Sequence, residues 1–90
     1  MHRSLRLLNF SFPPMIQSLR ALIDEQLFPL DESVTPTSDL HAAGLDSLAL
    51  MQLILLLESE YSVTITPADL DRENFSSLEN LSQLIERKRA

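Results

Sequence analysis

The stretch from Ser47 to Tyr61 limits the possible folds of this chain more than any other segment. Leu50, Leu53, Ile54, Leu57 and Tyr61 recur at helical spacing and form one continuous apolar stripe. Leu48, Met51 and Leu55 form a second stripe on the same helix. A helix that is apolar on more than one face is either deeply buried or in contact with partners. A chain of 90 residues cannot surround such a helix on all sides. The unbroken apolar run Leu53-Ile54-Leu55-Leu56-Leu57 also falls well short of the ~20 residues of a membrane span. The segment therefore reads as a helix over about 46–60, with one stripe in a core and the other at a surface.

Two further helices supply that core. Ser11-Phe12-Pro13-Pro14 reads as a helix start, with prolines where a missing N–H costs little. Met15, Ile16, Leu19, Leu22, Ile23 and Leu27 follow at helical spacing, with Gln17, Arg20, Asp24 and Glu25 between them. This predicts an amphipathic helix over about 14–28, limited by Pro29. Ser76-Ser77-Leu78-Glu79 reads as a Ser-x-x-Glu capping box opening a last helix, whose buried face is Leu78, Leu81, Leu84 and Ile85. Arg87, Lys88 and Arg89 suit the negative end of that helix.

The connections are uneven. Residues 29–45 hold Pro29, Pro36, the only glycine and four hydroxyl residues, Ser33, Thr35, Thr37 and Ser38. Loops longer than about 12–15 residues are uncommon in compact domains and often functional. Val34 and Leu40 are expected to pin this one to the core. Val63-Thr64-Ile65-Thr66 alternates like a strand but finds nothing to pair with, so it reads as an extended connector with Val63 and Ile65 inward. Thr66 and Pro67, with Asp69 three positions after Thr66, predict a short helical turn to about Asp71.

The organisation is one small domain over 13–90 behind an extension at 1–12. The opening Met1–Phe10 is acid-free and carries Arg3 and Arg6. It reads as a flexible extension or an early start, with a transit peptide as the alternative. The net charge is −6, and all 13 carboxylates lie within 13–86 against Arg20 and Arg72 alone. An acidic body argues against nucleic acid and anionic membranes, and suits basic docking surfaces. With no cysteine and two distant histidines, no metal constellation is evident, and any working thiol would have to come from a prosthetic group.

The junction between the long connection and the apolar helix is Gly44-Leu45-Asp46-Ser47-Leu48. Asp46 and Ser47 are both helix-starting residues, whose side-chain oxygens accept from unpaired N–H groups. A hydroxyl there is exposed and near the positive end of the helix dipole, a favourable place for a phosphate. Ser47 does not read as a nucleophile: a hydrolase elbow requires Gly-x-Ser-x-Gly, and no general base is evident. The plain alternative is that Ser47 only caps the helix of an interaction module.

These residues resemble the Gly-x-Asp-Ser-Leu attachment signature of acyl and peptidyl carrier proteins. The resemblance extends over about 14–88 through Leu40, the hydrophobic helix, Glu58-Ser59-Glu60-Tyr61 and Ile65-Thr66-Pro67. It implies an all-α four-helix bundle, with a long loop between helices 1 and 2 and a short third helix. It also implies a non-catalytic monomeric carrier in the cytoplasm, with a covalent 4′-phosphopantetheine arm on Ser47. The implied partners are a phosphopantetheinyl transferase using coenzyme A, then an acyl transferase, a ketosynthase or an adenylating ligase. Asp46 would help orient the transferase and Mg²⁺-bound coenzyme A, and His41 would lie near the arm.

Fatty-acid carriers usually place several carboxylates on the helix after the serine. Here Ala49 and Gln52 occupy such positions, so docking is expected to be more apolar, through Leu48, Met51, Gln52 and Leu55. Asp71-Arg72-Glu73-Asn74-Phe75 is similar to the Asp-x-x-Asn-Phe style of stand-alone carriers, including those loaded with amino acids. The leading expectation is an acyl carrier in fatty acid, polyketide or related biosynthesis. The alternative is an aminoacyl or peptidyl carrier loaded by an adenylating ligase.

Overall fold

A computed structural model describes residues 12–90, so the expected extension at 1–12 lies, but for Phe12, outside the described residues. Helix α1 spans Pro14–Gln26, a one-turn helix α2 spans Leu40–Ala43, α3 spans Ser47–Tyr61 and α4 spans Leu78–Arg89. A 3₁₀ turn at Pro67–Asp69 precedes α4. No strand occurs among the described residues, and none of their helices is long and apolar enough to cross a membrane. The all-α expectation stands.

Helix α1 opens with Pro14 in its first turn and buries Ile16, Leu19, Leu22 and Ile23. It ends earlier than the expected residue 28. The N–H groups of Leu27 and Phe28 both converge on the Ile23 carbonyl, at 2.9 and 3.1 Å, and Pro29 excludes helical backbone just beyond. Its buried face packs on α4, which contributes Leu78, Leu81, Leu84 and Ile85. Leu53 and Leu57 of α3, Leu40, and Phe75 ahead of α4 complete a core of fully enclosed side chains. Leu50, Ile54 and Tyr61 of the expected core stripe pack against it while partly exposed. Ser18 of α1 and Tyr61 of α3 share a hydroxyl hydrogen bond of 2.5 Å. Burial raises the Tyr61 hydroxyl above its ordinary range, and the Ser18 bond opposes that.

Three sequence expectations require correction. Arg20, assigned to the polar face of α1, is buried. Its guanidinium turns into the long connection and donates to the backbone carbonyls of Val34 (2.8 Å), Leu30 (3.2 Å) and Asp31 (2.6 Å). A planar group with five donors suits converging carbonyls in a way that a lysine does not. Second, the connection is not loop throughout: Asp39 accepts from the His41 N–H at 2.9 Å and starts the single turn α2. Third, Ser77, not Ser76, caps α4, accepting from Asn80 N–H at 3.1 Å. Glu79 does not close a box with Ser76; its N–H donates to the Pro36 carbonyl at 2.9 Å. Together with Leu40 N–H on the Ser76 carbonyl (2.8 Å), that bond laces the long connection to the head of α4.

The extended connector behaves as expected: Val63 is buried and Ile65 packs on the core. Glu58 explains how it stands without a strand partner, since its carboxylate accepts the Ile65 N–H at 2.9 Å. At the 3₁₀ turn, the Asp69 carboxylate accepts from the Thr66 N–H (2.8 Å) and hydroxyl (2.9 Å) and from Lys88 Nζ (2.7 Å). Lys88 thus has a specific partner as well as a helix end to complement. Leu40, Leu45 and Val34 hold the other connection, the first two fully in the core and Val34 against it.

Candidate functional site: the turn at the head of the apolar helix

The turn that delivers Ser47 is built from short-range hydrogen bonds. Gly44 N–H and Leu45 N–H both donate to the Leu40 carbonyl, at 3.1 and 3.0 Å, closing α2. Asp46 N–H then donates to the Gly44 carbonyl at 2.9 Å. Gly44 sits at φ +145°, a conformation that side-chain-bearing residues rarely adopt. Leu45 points into the core and anchors the turn from below.

Asp46 is the N-cap of α3, as expected of one of the two candidates. Its backbone is extended and its Oδ1 accepts from Ala49 N–H at 2.9 Å, while its carbonyl takes the first helical bond, from Leu50. Ser47 is the first residue of the helix and not its cap. It is exposed, and its hydroxyl takes no hydrogen-bond partner among the described residues. The hydroxyl therefore stands free beside unpaired helical N–H groups, where negative charge is favoured. A phosphodiester would fit there without displacing any protein contact.

Leu48, Met51 and Leu55 are 69%, 63% and 66% exposed, a large apolar display for one helix. Gln52 lies among them and is also exposed. Positions 48, 51, 52 and 55 follow helical spacing, so they share one face that runs from the serine toward the middle of α3. No charged side chain occurs between Ser47 and Leu57. Beside this face, Leu55, Leu56 and Gln52 meet Gln26 and Leu27 of the α1 end around a shallow groove of about 260 Å³. A second, more polar hollow of about 210 Å³ lies at the far end of α3, by Glu60, Ser18 and Glu25.

His41 lies in α2, three residues before Gly44; its Nε2 is withdrawn from solvent and has no hydrogen-bond partner among the described residues. Among the described residues no cluster of three or more potential metal ligands occurs. Two residues that matter here were not singled out in the sequence. Phe28 lies against Gly44, and Arg20 holds the connection that leads to it. Arg20 did leave a trace: it falls on the Ile16–Ile23 face of the helix, where an arginine is out of place unless it has partners.

Comparisons with known proteins bear directly on this turn. Residues 17–85 match the PP-binding family, described as a phosphopantetheine attachment site. Aminoacyl carrier protein 1 of Bradyrhizobium diazoefficiens is 30% identical over 71 residues, which is 79% of this chain and 77% of the relative. The fold resembles the carrier protein in a crystal structure of Bradyrhizobium japonicum glycine:[carrier protein] ligase complexed with glycylated carrier protein. That likeness has a TM-score of 0.61 and 28% identity, covering 87% of this chain and 97% of the other. A complex of the same ligase with its cognate carrier protein and an analogue of glycyl adenylate gives 0.64 and 27%, covering 90% and 97%.

Proposed function

The chain belongs to the phosphopantetheine-attachment family of carrier proteins, and from that premise we propose an aminoacyl carrier whose arm is borne by Ser47 and loaded by an adenylating ligase. It is a carrier with a covalent 4′-phosphopantetheine group and not a catalyst. When bound, that group supplies a terminal thiol that holds cargo as a thioester. The rest of the work falls to the protein's own residues.

Ser47 would offer the free hydroxyl for phosphodiester formation with coenzyme A. Asp46 fixes the helix start through Ala49 N–H, and its exposed carboxylate would help orient the transferase with its Mg²⁺-bound coenzyme A. Leu48, Met51, Gln52 and Leu55 would form the face against which the transferase and ligase dock. An uncharged contact of this kind can be weak and reversible, because tethering raises the local concentration of cargo at a docked enzyme. Dependence on coenzyme A and ATP suits a cytoplasmic setting.

The cargo reading rests on the aminoacyl carrier relative at 30% identity, supported by the likeness to carriers seen with glycine:[carrier protein] ligase. The Asp71–Phe75 pattern and the absence of carboxylates from Ser47 to Leu57 of α3 point the same way. These observations favour the aminoacyl alternative over the fatty acid or polyketide carrier that led the sequence reading. The experiment has two stages. Incubation with coenzyme A and an active broad-specificity transferase should add one phosphopantetheine mass increment, absent in Ser47→Ala. The modified protein should then gain an amino acid in the presence of ATP and an adenylating ligase of the glycine:[carrier protein] type. Acylation from malonyl-CoA by an acyl transferase, with no aminoacylation, would overturn the cargo assignment.

A further inference from the structure

Gly44 is constrained twice. Its φ of +145° disfavours any side chain, and a Cβ added there would meet the ring of Phe28 at 2.9 Å from Cδ1, 3.0 Å from Cγ and 3.3 Å from Cε1. Three consecutive ring atoms thus lie against the bare α-carbon, a contact only glycine permits. Phe28 is itself held firmly. Its N–H donates to the Ile23 carbonyl at 3.1 Å, Pro29 follows it, and its ring packs against the core. From Gly44 the chain of constraint is short, because its carbonyl accepts Asp46 N–H at 2.9 Å and Asp46 caps α3 through Ala49 N–H. The ring at the end of α1 therefore sits two hydrogen bonds from the first turn of the helix that begins at Ser47.

We propose that Phe28 is a positioning residue for the attachment serine, acting through Gly44 to fix the turn that presents the Ser47 hydroxyl; this rests on the reading of Ser47 as the attachment site. The ring meets the turn at Gly44, three residues before Ser47. Its loss should leave binding of the transferase intact and lower the rate at which the bound complex reacts. Small misplacements of a reacting group are enough to cost one or two powers of ten in rate.

The test separates packing from positioning. In Phe28→Ala, the KM for the carrier in transferase-catalysed modification should stay near the wild-type value. The kcat should fall about tenfold, at a temperature where circular dichroism shows the variant folded. Amide exchange at Ala49, which reports the Asp46 cap, should quicken in the unmodified protein. Gly44→Ala should be slower still, and adding Phe28→Ala to it should restore part of the rate, since the ring clash goes while the φ strain stays. Phe28→Leu, which keeps much of the volume, replaces Phe28→Ala if the latter does not fold.

A lower melting temperature with unchanged kcat and unchanged Ala49 exchange would overturn the proposal, leaving the ring as packing alone. So would a double variant no faster than Gly44→Ala. Modification that persists in Ser47→Ala would instead overturn the assignment of the serine, an outcome visible before any Phe28 variant is made.

Discussion

The two long connections of this protein are built alike and held differently. Each contains one short helical turn started by an aspartate-bearing cap region, α2 after Asp39 in the first and the 3₁₀ turn around Thr66 and Asp69 in the second. The first, between α1 and α3, is gripped from within by the Arg20 guanidinium and laced by backbone bonds to the head of α4. The second, between α3 and α4, is tied from outside by carboxylates: Glu58 on Ile65 N–H, Asp71 on Asn74 N–H, and Asp69 on Thr66 and Lys88. A guanidinium keeps its charge at every accessible pH, whereas carboxylates lose theirs in acid. The connection that ends at Ser47 has carboxylate ties as well, Asp24 on Leu30 N–H, Asp31 on Ser33 and Asp39 on His41 N–H, and adds to them the three arginine bonds that the second connection lacks.

The strongest break in that comparison is Arg20→Met. It leaves the carbonyls of Leu30, Asp31 and Val34 without their donor, the first in a buried bond and the other two in partly buried ones. Hydrogen bonds to charged groups contribute about 1.5–3 kcal/mol each, and unsatisfied buried groups are costly. We expect a loss of about 3 kcal/mol, read by urea unfolding, a large share of the stability of so small a domain. Exchange of amides in 30–40 should rise more than exchange in 62–77. Equal rises in both would show that the arginine serves the core as a whole and not the first connection.

That tie also marks where the sequence stopped being legible. The three long helices, the Asp46 cap, the inward Val63 and Ile65, and the exposed Leu48–Leu55 face all follow from periodicity and capping, which are local properties. The grip of Arg20 on carbonyls 10 to 14 residues away is not local, because any residue type supplies a carbonyl and leaves no mark in the sequence. The same holds for Phe28 against Gly44: the glycine was visible, the ring that requires it was not. Among the residues named from the sequence, Ser47 and Asp46 stood out by type and spacing, whereas the withdrawal of the His41 Nε2 from solvent shows only in the fold.

A smaller effect tests how α4 joins both connections. Ser77→Ala removes the cap on Asn80 N–H and should cost about 1 kcal/mol in unfolding free energy. Ser76→Ala should cost less. Its hydroxyl donates to the Glu73 carbonyl and accepts from Asn80 Nδ2 in a half-exposed setting, whereas its backbone carbonyl, which holds Leu40 N–H, is untouched. The reverse order would return the capping role to Ser76 and with it the box to Glu79.

The smallest effect at neutral pH, and the one that bears most sharply on the contrast, is Asp69→Asn. The Lys88 ammonium first, then the Thr66 N–H and hydroxyl, hold the Asp69 carboxyl down to about 2 from its ordinary 3.8. A depressed carboxyl contributes stability above its unfolded value and loses it as pH falls through its folded value. The contribution is therefore complete above about pH 4 and gone below about pH 2. The pair is near the surface, so salt weakens it further. Melting temperatures of wild type and Asp69→Asn should differ at pH 6 and converge between pH 4 and 2, as the wild type alone loses its ion pair. Amide exchange at Thr66, whose N–H the Asp69 carboxylate holds, should quicken over the same interval. A gap that persists unchanged at pH 2 would mean that Asp69 acts by shape and hydrogen bonding alone, and the ion pair with Lys88 would lose its assigned part in holding the second connection.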